Sequence, residues 1–347
     1  MKRIVIITQS VDERSDVLGF FVAWIRALAH RVDHVDVITL AKGAYSLPSN
    51  VSVYSLGKER GVSKLVQIFR YLILTARLIP GSRAVLAHMS PIFAITAWPW
   101  TLFSKTKLLL WYLHRSVTTR LRLALFLSDA LITADARSLR ITSSKIVSVG
   151  HGISIPDVPR ARDEHEGLHI ISVARITPLK RINRIIEASL QLMREGISHT
   201  LRVVGSPMMP SDEQYARSIH ARAQHAAHIE WAGSVPHNEI AAHYAWADIA
   251  VNLAPRGGLD KAVLEAMAYG VLPITTNHIF HDDFGPYAHL LLLDESLPQH
   301  AVAERIKQIL VLSASEREEM RDYLMRRVRE RHSVLGVTAR ILTCVGL

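Results

Sequence analysis

Arg175 and Lys180 stand five residues apart, where the apolar run ending Ser172-Val173-Ala174 gives way to Thr177-Pro178-Leu179 and then to a helical pattern. Two cations at a strand-to-helix turn can be aimed at a leaving group that gathers negative charge. The plainer reading is a solvated, cationic helix start. Gly257-Gly258-Leu259-Asp260-Lys261 leads into Val263-Leu264-Glu265-Ala266-Met267-Ala268. The first amides of such a helix have no intrahelical partner and can hold phosphate or sugar oxygens, although turns use paired glycines widely. Glu265 is a carboxylate inside an apolar helix, costly unless something pairs with it: a ligand, or simply a salt bridge. Asp260 is placed either to supply a second carboxylate or to cap the helix. His88 and His114 close apolar strands, in Leu86-Ala87-His88-Met89 and Leu113-His114-Arg115. A histidine there is either hydrogen-bonded structure or a group offered to a ligand.

These residues gather at strand ends, and the strands recur. In the first half the apolar runs are 4–8, 34–40, 51–55, 84–88, 107–112, 130–133 and 146–149, with helical stretches at 18–31, 62–79 and 118–127. A polar loop, Gln9 to Asp16, precedes the first helix. Residues 155–166, with Pro156, Pro159 and a charged run, read as a linker. The second series has strands at 169–173, 200–204, 229–231, 249–252 and 272–275, and helices at 181–195, 214–227, 238–244 and 261–269. Such alternation predicts an α/β chain of two doubly wound, Rossmann-like domains, 1–160 and 161–347, facing each other across a cleft. The last helix is free to pack back on the first domain. Ligands in such sheets sit beyond the carboxyl ends of the strands.

Length and composition bound the function. At about 150 residues per domain, 347 residues suggest two domains. The 49% hydrophobic content excludes disorder as the main state. Cys344 is the single cysteine, which excludes an internal disulfide framework and a cysteine-rich metal site. Met1-Lys2-Arg3 runs straight into a short strand, so no signal peptide is expected. The uncharged stretch from Ala84 to Ser104 is interrupted by His88, Pro91 and Pro99, and reads as buried strand, loop and helix rather than a membrane span. Charge is uneven: residues 1–160 hold 21 Lys and Arg against 9 Asp and Glu, whereas the remainder holds 20 against 22.

Taken together, the Ser172–Lys180 segment, Val203-Val204-Gly205-Ser206, Trp231-Ala232-Gly233-Ser234-Val235 and the Gly257–Gly270 segment resemble the donor half of family 4 retaining glycosyltransferases, which have the GT-B fold. His151-Gly152-Ile153 is similar to that family's domain junction. The resemblance implies a nucleoside diphosphate sugar as substrate and no metal or other cofactor, since Arg and Lys serve where other transferases use a cation. By it, Arg175 and Lys180 clamp the diphosphate. Glu265 holds the ribose hydroxyls, and Ser234 and Val235 border the nucleobase. Gly205, Gly257, Gly258 and Leu264 belong to the matching donor segments, and Gly19 to a glycine loop near the diphosphate. His114 matches the position that faces the reacting sugar, while His88 and Arg115 fall on the acceptor side. No protein nucleophile is implied: the acceptor attacks on the leaving-group face and the departing phosphate takes its proton. Substitution of Arg175 or Lys180 by Ala is expected to stop turnover and leave the fold intact. One departure stands out. The family's Glu-x7-Glu pattern has Gly257 at its first position here, with Asp260 three residues on.

Lys64, Arg70 and Arg77 punctuate an otherwise apolar helix, and Arg115, Arg120 and Arg122 follow His114. A basic amphipathic helix reads as a membrane-surface element or as a solvated helix face. The expected partners are therefore a nucleotide-sugar donor, a glycan or lipid-linked acceptor, and an anionic membrane surface met by the basic half. No nucleic-acid partner is expected, because the neighbouring aromatics Tyr71 and Trp111 lie in apolar runs. The expected location is cytoplasmic, peripheral at the inner membrane face. Two other readings remain: a non-catalytic nucleotide-sugar-binding subunit, motivated by Gly257, and a peripheral membrane scaffold.

Overall fold

A computed structural model of the chain describes every residue except Met1, Asp16, Val17, 157–166, Asn238, Arg256, Leu297 and Gln299. Most of the linker expected at 155–166, and the start of the helix expected at 238, lie outside the described residues. The chain divides into two compact units, residues 1–154 with 331–347, and residues 155–330.

The first unit is built on a seven-stranded parallel sheet in the order β3-β2-β1-β4-β5-β6-β7. Its strands are β1 (Arg3–Val11), β2 (His34–Lys42), β3 (Val51–Ser55), β4 (Ala84–His88), β5 (Lys107–Trp111), β6 (Ala130–Thr133) and β7 (Ile146–Ser148). β4 is buried at every position, which is why it reads as an unbroken apolar run. Gln9, Ser10 and Val11 are strand rather than loop: Ser10 and Val11 pair with Ala41 and Lys42, so the β2 ladder extends β1 past its apolar stretch. The crossovers are α1 (Phe20–Ala29), α2 (Lys64–Leu78), α3 (Pro91–Thr101) and α4 (Thr119–Leu127). Tyr71 and Leu78 of α2, Phe93 and Ala97 of α3, and Leu121 and Ala124 of α4 share one core with Val85, Leu108 and Leu131 of the sheet. The uncharged 84–104 stretch is thus β4, a short loop and α3. No helix among the described residues is long and apolar enough to cross a membrane.

The second unit has a five-stranded parallel sheet, β10-β9-β8-β11-β12. It comprises β8 (Leu168–Val173), β9 (His199–Val204), β10 (Ile229–Gly233), β11 (Ile249–Asn252) and β12 (Leu272–Thr275). In α5 (Ile182–Arg194), Ile182, Ile185, Ile186, Ser189 and Leu192 are buried at the spacing of one helix face. α6 (Glu213–Ala223), α7 (Ile240–Trp246) and α8 (Lys261–Ala268) alternate with the later strands, and α9 (His281–Phe284), α10 (Ala288–Leu291), α11 (Ala301–Val311) and α12 (Ala314–His332) follow.

The chain re-enters the first unit at Arg331, and α13 (Val334–Thr343) packs on α1. Residues 151–153 hold this return. The Ile153 N–H donates to the His332 carbonyl at 2.6 Å, and the Trp24 indole donates to the Gly152 carbonyl at 2.9 Å. Gly152 has φ +79°, and a Cβ there would meet the Trp24 ring at 2.2 Å, so only glycine fits.

Candidate functional site

The carboxyl edge of the second sheet is tied together by its own backbone. The Ala174 N–H donates to the Val204 carbonyl at 3.0 Å, Ile176 to Ser206 at 3.0 Å, and Gly205 to Gly233 at 2.7 Å. Gly205 lies at φ +135°, and a Cβ on it would come within 1.9 Å of the Ala174 carbonyl oxygen. That glycine is what lets the end of β9 close on the turn carrying Arg175. Arg175 is exposed, and its side chain makes no hydrogen bond or ion pair among the described residues. Thr177 accepts from the Leu179 N–H at 3.2 Å, a cap that starts the tight turn Pro178–Lys180 ahead of α5.

Lys180 is engaged where Arg175 is free. Its ammonium is hydrogen-bonded to the Asp260 carboxylate, both side chains being 17% exposed. Asp260 also caps α8 by accepting from the Ala262 N–H at 3.2 Å. Burial alone would push the Asp260 pKa up. The Lys180 charge and hydrogen bond and the Ala262 N–H outweigh it and hold the carboxyl below its ordinary value. Asp260 therefore acts as helix cap and as counter-charge to Lys180.

One turn further along α8, Glu265 is 7% exposed. It accepts from the Lys261 ammonium at 3.1 Å and from the Tyr244 hydroxyl at 3.3 Å, with His237 Nδ1 at 3.8 Å. Burial holds the Lys261 pKa down against the raising effect of Glu265. Burial and then Lys261 lower the His237 pKa, favouring the neutral ring. The Tyr244 hydroxyl is pushed well above its ordinary pKa by burial and then by Glu265. Glu265 is thus a charge kept in a low-dielectric place by one cation and one phenol, with its salt bridge four residues back on its own helix.

The Gly257-Gly258 turn is pinned by Asn277, whose side-chain amide donates to the Gly258 carbonyl at 2.9 Å. Among the described residues, a Cβ at Gly257 would touch only the Pro255 carbonyl oxygen, at an ordinary 3.6 Å. The backbone does not demand glycine there. Ser234 is exposed beyond β10, and Val235 is half-buried against the cluster containing Tyr244 and Ala266. Leu264 is wholly buried, so its side chain is core rather than something offered to a ligand. Lys261, Tyr244, His237 and Asn277 were not anticipated. Lys261 was legible as the residue four before Glu265; the other three arrive from distant parts of the chain.

In the first unit, Gly19 precedes α1 in a loop that leaves no room for a side chain: a Cβ would lie 2.6 Å from the Ser15 carbonyl oxygen. His114 is exposed, edge-on to Tyr112 at 5.5 Å, and Arg115 is exposed beside it. His88 is different, being fully buried. Its Nδ1 shares a hydrogen bond with Thr8 Oγ1 at 3.0 Å, and its ring stacks on Phe21 at 3.7 Å. Burial lowers its pKa to about 3. Direct contact with an acceptor, the role expected for it, is not open to a ring so enclosed. Among the described residues no group of three or more His, Cys, Asp or Glu could hold a metal ion.

The family model for glycosyl transferases group 1 matches residues 159–330. WcaL of Escherichia coli (strain K12), named for colanic acid biosynthesis as a glycosyltransferase, is 32% identical over 117 residues. That match spans 32% of this chain and 28% of the relative's own length; the Salmonella typhimurium WcaL matches over the same share. Among solved structures, the sucrose-phosphate synthase of Thermosynechococcus elongatus is similar with a TM-score of 0.75 at 16% identity, over 99% of this chain and 98% of that one. Anabaena Alr3699/HepE in complex with UDP and glucose is similar with a TM-score of 0.69 at 14% identity, over 100% of both chains. At such identities the likeness establishes the fold. The chain has two Rossmann-like lobes of the GT-B architecture, and its residues 159–330 match the model of the group 1 glycosyl transferases.

Proposed function

We propose that the chain is a retaining, metal-independent glycosyltransferase of the family 4 type, moving a hexosyl group from a nucleoside diphosphate sugar to a hydroxyl. The observation that carries this is the exposed, unpartnered Arg175 at a strand end closed by Gly205, within the segment that matches the family model. In this reading residues 155–330 bind the donor and the first unit receives the acceptor. The acceptor oxygen bonds to the anomeric carbon as the bond to the diphosphate breaks, and the hydroxyl proton passes to the departing phosphate. Arg175 meets the charge that develops, Lys180 lends a second cation balanced by Asp260, and Glu265 holds the ribose. Ser234 and Val235 border the base, while the Gly257-Gly258 turn and Gly19 let backbone approach the phosphates. His114 and Arg115 face the sugar and acceptor, with His88 setting the strand beneath them.

The acceptor is a glycan or lipid-linked sugar at the inner, cytoplasmic face of a membrane. The charge of the first unit supports this: 22 Lys and Arg against 8 Asp and Glu, compared with 19 against 23 in the second. A second reading, a non-catalytic nucleotide-sugar-binding subunit, is favoured by Gly257 and by the prior engagement of Lys180 with Asp260. A thermal-shift screen of UDP, GDP, ADP and their sugar conjugates, followed by turnover with whichever binds, tests both. The expected result is stabilisation by one nucleotide series, about 2.7 kcal/mol at a hundredfold excess over Kd, and release or transfer of its sugar. Binding without turnover supports the second reading. Stabilisation by none of them overturns the donor site.

A further inference from the structure

Helix α2 is apolar on two sides. Its inner stripe, Tyr71, Thr75 and Leu78, is buried. Leu65, Ile68, Phe69 and Leu72 follow at i, i+3, i+4 and i+7 on another face, with Leu65 80%, Phe69 65% and Ile68 56% exposed. A helix apolar all round is ordinarily covered on every side, and soluble monomers rarely keep such a stripe in water. α2 contacts α3, α3 contacts α4, and Phe103 after α3 and Phe126 on α4 are also exposed.

The three helices of this face carry charge of one sign only. From Gly61 to Ser128 the chain has nine Lys and Arg and no Asp or Glu. Lys64, Arg77, Lys105, Arg120 and Arg122 are exposed and form no ion pair among the described residues. A second copy docked face to face would set these cations against each other, an arrangement that opposes association. Nucleic acid would use the cations, and Phe69, Phe103 and Phe126 offer rings, but the aliphatic Leu65, Ile68 and Leu72 between them give a base nothing to stack on and would stay in water. An anionic bilayer answers both features, taking apolar side chains below the headgroups and cations beside them.

We propose that the α2–α3–α4 face of the first unit docks on an anionic lipid bilayer, with Leu65, Ile68, Phe69 and Leu72 entering the acyl boundary and the flanking cations lying among the phosphates. This sharpens the membrane reading above and rests on it; sugar transfer is not needed for it. α3 and α4 begin shortly after the carboxyl ends of β4 and β5. Docking along them brings that edge of the sheet, with His114, to the membrane surface.

The full-length chain, sedimented with vesicles of phosphatidylglycerol and phosphatidylcholine, at low salt and at about 0.5 M NaCl, tests the proposal. The wild type is expected to bind in both, less at high salt, and to ignore pure phosphatidylcholine at low protein. Phe69→Ser with Leu72→Ser should weaken binding about tenfold or more and remove the salt-resistant part, with thermal unfolding changed little because Phe69 is 65% and Leu72 44% exposed. Lys64→Gln with Arg120→Gln should weaken mainly the low-salt binding. Binding that disappears at high salt and is indifferent to the Phe69/Leu72 change overturns insertion while leaving an electrostatic membrane contact. No binding to anionic vesicles overturns both. A dimer in solution that the Phe69/Leu72 change dissolves assigns the stripe to a second copy and overturns the proposal.

Discussion

The two units share a doubly wound plan and distribute charge differently, although both contain internal ion pairs such as Arg3–Asp36 in the first. In residues 155–330 the cations near the sheet are answered from within: Lys180 by Asp260, Lys261 by Glu265, Arg202 by Glu230 and Arg222 by Glu187. In the first unit a 68-residue stretch, 61–128, holds nine cations and no acid of its own. Lys107 is paired with Asp129 just beyond it, but Lys64, Arg77, Lys105, Arg120 and Arg122 form no ion pair among the described residues, and large apolar side chains lie in water beside them. Since the scaffold is the same, the difference belongs to what each surface meets. Internal pairing leaves an exposed cation such as Arg175 as a local, directional feature. Unpaired cations on α2, on α4 and in the loop after α3 act instead as an area.

The largest test of that contrast is Arg175→Ala. Loss of a single donor of charge stabilisation typically costs about 10²–10³-fold in kcat, and the exposed, unpartnered side chain predicts no loss of stability. Steady-state rates with the donor found by the screen, beside a thermal melt, measure both. An unchanged kcat removes Arg175 from the clamp.

Lys180→Ala sharpens the same contrast from the other side. Sequence reasoning expects it to behave like Arg175→Ala, whereas the structure gives it a second cost. Asp260 is left largely buried without its counter-charge, a loss of about 3 kcal/mol when such a pair is broken. Chemical denaturation should show Lys180→Ala destabilised and the Lys180→Ala/Asp260→Ala double less so than the sum of the singles. Strict additivity would mean that the two side chains do not depend on each other.

The smallest effect is a pH dependence seated in the first unit. Folded His88 stays neutral down to about pH 3, while in the unfolded chain it takes up a proton near its ordinary 6.5. Between those values the unfolded state binds more protons, so the His88 contribution is complete above pH 6.5 and is lost as pH falls, by at most about 1.4 kcal/mol per pH unit. His88→Gln should flatten the fall in stability measured between pH 7 and 5. An equal slope in both proteins would mean that His88 does not supply it.

Much of this was legible beforehand because parallel sheets bury their strands on both faces. β4, β11 and β12 are buried throughout, and uninterrupted apolar runs marked them. The end of β1 was misread because Gln9 and Ser10 are polar; only the ladder to β2 makes them strand. Arg175, Lys180, Asp260 and Glu265 could be singled out because charges are conspicuous beside apolar elements. Their states could not, since Lys180 and Asp260 lie 80 residues apart in the chain.

By itself the sequence determined the alternation of strands and helices, the charge asymmetry and the residue types at the strand ends. Those are local properties, set by periodicity and by the cost of placing a charge in an apolar run. Tertiary structure decided the rest: that Asp260 both caps α8 and pairs with Lys180, that Glu265 is shared by Lys261 and Tyr244, that His88 is sealed against Phe21, and that the outer stripe of α2 is left bare. Each depends on segments far apart in the chain meeting, or failing to meet, and periodicity does not encode which distant surface covers a given face.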